Sequence, residues 1–283
     1  MHYSASPHSP AFPPSHSRCE EAVNAVEYEQ ALAFAQYLAD IGGQIACRYF
    51  RSALEISCKP DRSPVTAADF EVERTLRQLI HRRYPDHGII GEEYGSMRSG
   101  DCTWVIDPID GTDGFAMANP LFGILIGLLF QNEPIIGLID LPALKERWIG
   151  DRKFTKFISS AQVHVANASS CHVIEEAKLY FATPYQAPHT EALIIGNLCQ
   201  RVAVARQGCD CYSYGLLASG YCDLVVESGL EPYDYLPLIP VITGAGGWIT
   251  DWKGRPLGLD SGDRVIAAAN KPLLDAAINA LAT

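Results

Sequence analysis

The stretch from Trp104 to Leu129, WVIDPIDGTDGFAMANPLFGILIGLL, limits the possible folds more than any other in the chain. Its first run, TWVID, has the composition of a buried strand and stops on Asp107. A short acidic turn follows, and then a Gly-containing patch and a second apolar run. A buried strand that ends on carboxylates must reach the edge of its core at that point. Three acids, Asp107, Asp110 and Asp113, fall within seven residues. Carboxylates gathered without Lys or Arg between them repel, so their pKa values rise or cations neutralise them.

The remaining pattern is mixed. Residues 20–50 carry Val26, Leu32, Phe34, Leu38, Ile41 and Ile45 at helical spacing, which predicts a long amphipathic helix. SPVT reads as a loop or short extended piece. A second helix is expected from Ala67 to Tyr84, with Phe70, Val72, Leu76, Leu79 and Ile80 as its buried stripe. GIIGEE reads as a strand ending in Glu92 and Glu93. FGILIGLLFQ and PIIGLIDL predict a hairpin across NEP, and KERWIGD extends that sheet.

AKLYFATP starts a second βα pattern, with a helix near 190–201. YSYGLLASG is expected to be helical, YCDLVVES a strand and Pro232–Thr243 one helix. GAGGWITDWKG reads as a glycine turn into a hairpin, RVIAAAN as a final strand and KPLLDAAINALA as a closing helix. The sum is a mixed α/β (α+β) chain with helices packed on two sheets. A soft boundary between 150 and 175 separates an N-terminal half, 19–160, from a C-terminal half, 161–283, that completes the site. Residues 1–18 hold four Pro, five Ser and three His and lack the pattern of a secretory signal. They are expected to form a disordered extension.

Thirty-three acidic residues against 22 basic ones set the formal charge at −11. Such a surface repels nucleic acid and anionic membranes, so neither partner is expected. The apolar run LFGILIGLLF is ten residues, too short for a membrane span. Nine cysteines at irregular spacing do not form a disulfide framework and suit a reducing, cytoplasmic compartment. CDC at Cys209–Cys211 has no CxxC or nearby His pair, so it reads as core and not as a metal site.

The acids at strand ends are the chemical signal. Glu92 and Glu93 end one strand, Asp107 ends the next, Asp110 follows after a turn, and Asp234 stands where a helix begins. Taken singly, each reads most simply as a cap or a solvated turn residue. Taken together, they match the oxygen ligands of a hard divalent cation such as Mg²⁺. DPIDGT adds specificity. Pro108 sets φ, and Gly111 and Thr112 can turn backbone N–H groups toward one spot, as a phosphate seat requires.

WVIDPIDGT, with GEE upstream and PYD and GAGG downstream, resembles the inositol monophosphatase family of Mg²⁺-dependent, lithium-sensitive phosphomonoesterases. The resemblance runs from about residue 25 to the end and implies a layered αβαβα sugar-phosphatase-like fold. It implies that Glu92, Asp107 and the Ile109 carbonyl hold one Mg²⁺, and that Asp107, Asp110 and Asp234 hold a second. A third would again use Glu92. Asp69 and Thr112 would orient the attacking water, with Glu92 counted among the catalytic groups. The amides of Gly111 and Thr112 would hold the phosphate. A homodimer is implied as well.

Within the family, KPDRSPVTAAD, PLFGILIGLL and residues 208–257 resemble the histidinol-phosphate phosphatases. Inositol 1-phosphate or another small monoester is the alternative substrate. Asp210 and Glu227 occupy positions where the family contacts the leaving alcohol; Asp210 suits an ammonium, while Glu227 suits an amine or imidazole N–H and equally the hydroxyls of an inositol. Asp210 also reads as a helix N-cap. After DPIDGT that branch shows a basic residue and Ser-Phe. Here Asp113 and Gly114 stand there, so Asp113 is either a solvated turn residue or a charge that bears on substrate choice.

Overall fold

In the computed structural model, residues 25–52, 56–58, 64–182 and 189–282 are described. The extension expected over 1–18 lies outside them. Helix α1, Ala25–Tyr49, buries Ala31, Ala35, Leu38, Ala39, Ile45 and Ala46 along one stripe. A small ladder, β1 (Ile56–Cys58) with β2 (Pro64–Thr66), leads into α2, Ala67–Arg83. Thr66 caps α2, its hydroxyl accepting from the Ala68 N–H at 3.1 Å. The buried face of α2 is Ala68, Asp69, Val72, Glu73, Leu76 and Ile80. Phe70, expected on that face, is exposed. Two carboxylates take the inward positions instead, because they have buried donors to meet.

The large sheet follows. Its strands are β3 (Gly88–Gly91), β4 (Gly95–Met97), β5 (Cys102–Asp110), β6 (Gly123–Phe130), β7 (Glu133–Leu141), β8 (Glu146–Gly150), β9 (Thr155–Ser159) and β10 (Val163–Ala166). A five-residue helix, α3 (Thr112–Ala116), interrupts the run after β5. The spatial order is β10-β9-β8-β7-β6-β5-β3-β4. Among the described strands of this sheet, β3 and β5 are the one parallel pair. The expected hairpin is β6 with β7. Strands β9 and β10 extend the sheet beyond the segment foreseen as its end.

The second half supplies β11 (Lys178–Ala182), α4 (His189–Cys199), β12 (Val204–Gln207), α5 (Asp210–Ala218), β13 (Leu224–Glu227), α6 (Pro232–Tyr235), α7 (Leu238–Gly244), β14 (Trp248–Asp251), β15 (Val265–Ala268) and α8 (Lys271–Leu281). Its sheet runs β12-β11-β13-β15-β14. The single helix expected over Pro232–Thr243 is two, α6 and α7, divided before Leu238. Pro237 has no N–H with which to continue the ladder of α6. Edge strand β12 is exposed at all four positions, so it carries no apolar alternation to read.

Three cores alternate with the two sheets. One lies between α1, α2 and the large sheet. The middle core, with Trp148, Tyr214 and Tyr235, packs α5 and α7 between the two sheets. The third places α4 and α8 on the outer face of the small sheet. This is the five-layer αβαβα arrangement. Among the described residues, no helix is long and apolar enough to cross a membrane. Seven described cysteines are free.

Two glycines let α7 lie directly on the large sheet. A Cβ at Gly137 would fall 1.9 Å from the Pro237 carbonyl oxygen, and one at Gly150 would fall 2.4 Å from that of Pro240. Both neighbours are backbone and cannot swing aside. Since α6 and α7 are nearly continuous, this close approach also sets the position of Asp234. Gly137→Ala should therefore destabilise the protein by about 1–3 kcal/mol. A chemical-denaturation midpoint equal to that of the native protein would show that the approach is not limiting.

Candidate active site

The acids of β5 meet because the strand is irregular. Side chains alternate faces along a strand, so residues three apart point to opposite sides. Asp107 pairs with Leu125 and Asp110 with Gly123, so three steps along β5 match two along β6. The extra residue is a β-bulge, and it returns Asp110 to the side of Asp107. Pro108, with no N–H to donate, sits inside it. The Ile109 N–H donates to Asp107 Oδ1 at 3.1 Å and closes the turn.

Asp234 arrives from the other half of the chain. It is in the first turn of α6, where its Oδ2 accepts the Glu231 N–H at 2.7 Å. One carboxylate oxygen each from Asp107, Asp110 and Asp234 lies within 4.8 Å of the others. Asp110 Oδ2 also accepts the Cys211 N–H at 2.6 Å, which ties β5 to the start of α5.

Asp107 is 2% exposed. Burial, then the charges of Glu92, Asp110 and Asp234, hold its carboxyl well above the usual carboxylate range. Burial and Asp110 do the same to Asp234. The side-chain contact between Asp107 and Asp234 raises Asp107 further and pulls against the rise of Asp234. Burial raises Asp110 as well, against the pull of the Cys211 thiol and N–H. Among the described residues, no Lys or Arg forms a salt bridge with any of the three. Buried oxygens with only negative charge around them are a poor resting state for a protein and a good fit for a divalent cation.

Glu92 stands just past β3, half-buried and outside this trio, although its charge acts on both Asp107 and Asp234. Ile109 is buried, and its carbonyl accepts the Thr112 hydroxyl at 2.9 Å. That hydroxyl also lies 3.4 Å from Asp69 Oδ1. A hydroxyl has one hydrogen, so the two acceptors share it and the Thr112 oxygen keeps its lone pairs for a water. Asp69 divides its work. Its Oδ2 accepts the Thr66 N–H at 2.9 Å and the Thr66 hydroxyl at 2.6 Å, and its Oδ1 faces Thr112. Gly111 has a φ of 80°, a left-handed conformation that precedes α3.

Asp210 packs on that glycine. A Cβ at Gly111 would lie 2.7 Å from Asp210 Oδ2. The N-cap of α5 is Cys209, not Asp210, and no side chain caps the helix. The carboxyl of Asp210 therefore does not cap the helix. Burial, with Asp110 and Asp113 nearby, pushes it up to about 7. Asp113 is exposed on the first turn of α3. It is a solvated residue whose charge still reaches Asp210. Glu227 ends β13, 4% exposed, and accepts the Tyr214 hydroxyl at 2.9 Å. Burial and the charge of Asp110 push it up to about 8.

Sequence reasoning missed the supports of these groups. Thr66 and Asp69 have the spacing of a capping box, a signal that was there to read. Tyr214 lies one helical turn after Asp210, but nothing in the sequence pairs it with Glu227. The Cys211 amide has no side-chain signature at all.

Each raised carboxyl keeps its proton in the folded protein at a pH where the unfolded chain has lost it. The folded state then binds more protons, so stability falls as pH rises. For Asp210 and Glu227 that window runs from about 4 to about 8. The melting temperature of metal-free protein should drop across it, and a divalent cation should restore more at pH 8 than at pH 5. A melting temperature that rises with pH over that window would contradict the electrostatics.

A model of the inositol monophosphatase family matches residues 27–283. The chain is 42% identical over 246 residues to the chloroplastic bifunctional phosphatase IMPL2 of Arabidopsis thaliana, covering 86% of this chain and 70% of that one. It is 34% identical to the histidinol-phosphatase of Chlorobaculum parvum, covering 84% of this chain and 92% of the relative. Among solved structures, an inositol monophosphatase from Zymomonas mobilis superposes with a TM-score of 0.82 at 36% identity, covering 92% of this chain and all of that one. These matches agree with the five layers and with the acids gathered between them: the chain belongs to the inositol monophosphatase family.

Proposed function

We propose that the protein hydrolyses L-histidinol phosphate to L-histidinol and phosphate, as a magnesium-dependent step of histidine biosynthesis. The family is one of phosphatases, generally dependent on divalent metal, and the acidic trio accords with that. The observation that carries the finer reading is Asp210. Its carboxyl lies against Gly111, so a phosphate seated there puts its leaving alcohol next to an acid that titrates at about 7. A cationic alcohol holds that acid ionised and gains from the charge, and a neutral one gains much less. Glu227 adds a second carboxylate, oriented by Tyr214. The histidinol-phosphatase relatives point the same way.

In this reading Glu92, Asp107, the Ile109 carbonyl, Asp110 and Asp234 hold two to three Mg²⁺. A divalent ion held there would supply positive charge to the phosphate, the attacking water and the leaving oxygen. The chain supplies the rest. The Gly111 and Thr112 amides, free of intrahelical partners at the start of α3, hold phosphate oxygens. Thr112 accepts a hydrogen bond from the water and aims it along the line of attack. Asp69, one bond away, takes up the proton. Asp210 and Glu227 hold the alcohol so that it leaves opposite the water. Inositol 1-phosphate is the second reading, favoured by the similarity to the Zymomonas mobilis structure.

Turnover of histidinol phosphate, inositol 1-phosphate, fructose 1,6-bisphosphate and a nucleotide 3′-phosphate separates the readings, and the first should have the highest kcat/KM. Asp210→Ala should raise KM for histidinol phosphate about tenfold more than for a neutral sugar phosphate. Equal effects on both would remove Asp210 from recognition. Asp110→Asn should cut turnover by orders of magnitude with the fold intact, and Li⁺ should inhibit. Native-like turnover in Asp110→Asn would refute the metal reading.

A further inference from the structure

Glu73 is a carboxylate that none of the roles above uses. It is 0% exposed, on the inner face of α2 one turn after Asp69. Its Oε2 accepts the Glu93 N–H at 2.6 Å, and its Oε1 accepts the Tyr94 N–H at 3.2 Å. Arg77, one turn further on, donates its Nε to Oε1 at 2.7 Å and an Nη2 hydrogen to the Gly95 carbonyl. Behind them, a Cβ at Gly91 would fall 2.2 Å from Glu73 Oε1. Residue 91 must lack a side chain for the carboxylate to reach the turn. Phe70, on the same helix, meets the Tyr94 ring edge to face at 5.9 Å.

These contacts enclose one residue. Glu73 lies close against Gly91 before Glu92 and holds the N–H groups of Glu93 and Tyr94 after it. A buried charge is retained in a core only where it is paired and fully hydrogen-bonded, and here every partner of Glu73 but Arg77 is backbone of that turn. Helix α2 then places two groups with one rigid body: Asp69 directly, and Glu92 through the turn.

We propose that Glu73, braced by Arg77, is a positioning residue that holds the turn after β3 and so sets where Glu92 stands relative to Asp107. The inference rests on the reading of Glu92 as a magnesium ligand. Groups that orient metal ligands typically change metal affinity 10–100-fold when removed.

The test is a double-mutant cycle on the full-length, metal-free protein, read by calorimetric titration with MgCl₂. E73Q keeps the shape but turns an amide NH₂ toward a backbone N–H. It should weaken Mg²⁺ uptake about tenfold. In an E92Q background the same change should have almost no further effect, because Glu73 acts through Glu92. Hydrogen exchange should quicken at the Glu93 and Tyr94 amides and stay unchanged in β5 and β6. If E73Q does not fold, Arg77→Lys reads the same cycle, since it keeps the charge and loses the two-pronged contact.

Unaltered Mg²⁺ uptake in a folded E73Q protein would overturn the inference and leave the metal reading standing. So would a loss of equal size in the E92Q background, which would make Glu73 a general support of the fold. A native protein that takes up no Mg²⁺ would overturn both.

Discussion

Asp107, Asp110 and Asp234 bring oxygens within 4.8 Å of one another, the first buried and the other two half-buried. That proximity opposes folding. Each carboxylate loses hydration and gains a like-charged neighbour, so the cluster is stable only protonated or with a cation. The architecture around it makes sense as a means of holding the three in place. The bulge in β5 turns Asp110 to the side of Asp107. The Cys211 amide fixes Asp110, and the N-terminal turn of α6 fixes Asp234.

The two halves depend on each other at this point. Asp107 and Asp110 belong to the large sheet, and Asp234 belongs to a short helix between the sheets. Its position is only as well defined as the seat of α7 on the large sheet, and that seat needs Gly137 and Gly150. Asp210 likewise comes from the second half and lies against Gly111 of the first. Neither half holds the whole set of groups. Helix α2 performs the same office on the opposite side, with Asp69 and Glu73 facing inward where an ordinary amphipathic helix would bury only apolar side chains.

Much of this was legible beforehand. Long helices and apolar strands show their periods, so α1, α2, β5, β6, β7 and α8 were expected close to where they lie. Strands β4, β10 and β12 were not, because short exposed strands bury too little to leave a pattern. The break between α6 and α7 follows from Pro237, which lacks the N–H that would continue the helix. Among the site residues, the acids were visible because they crowd at strand ends. Their backbone and hydroxyl partners were not, since a peptide N–H is the same in every residue.

The sequence by itself determined that acids would end buried strands, that a Pro-containing turn would separate Asp107 from Asp110, and that Gly111 would be free to adopt a positive φ. Those are local properties, set by side-chain type and by neighbours within a few residues. Only the tertiary structure decided that Asp107 and Asp110 face the same way, because one extra residue in a ladder reverses the facing and that residue is counted against β6. It alone placed Asp234 beside them, Asp210 on Gly111 and Glu73 behind Glu92. Such contacts join residues far apart in the chain through backbone groups and close approaches, for which no residue type is a marker.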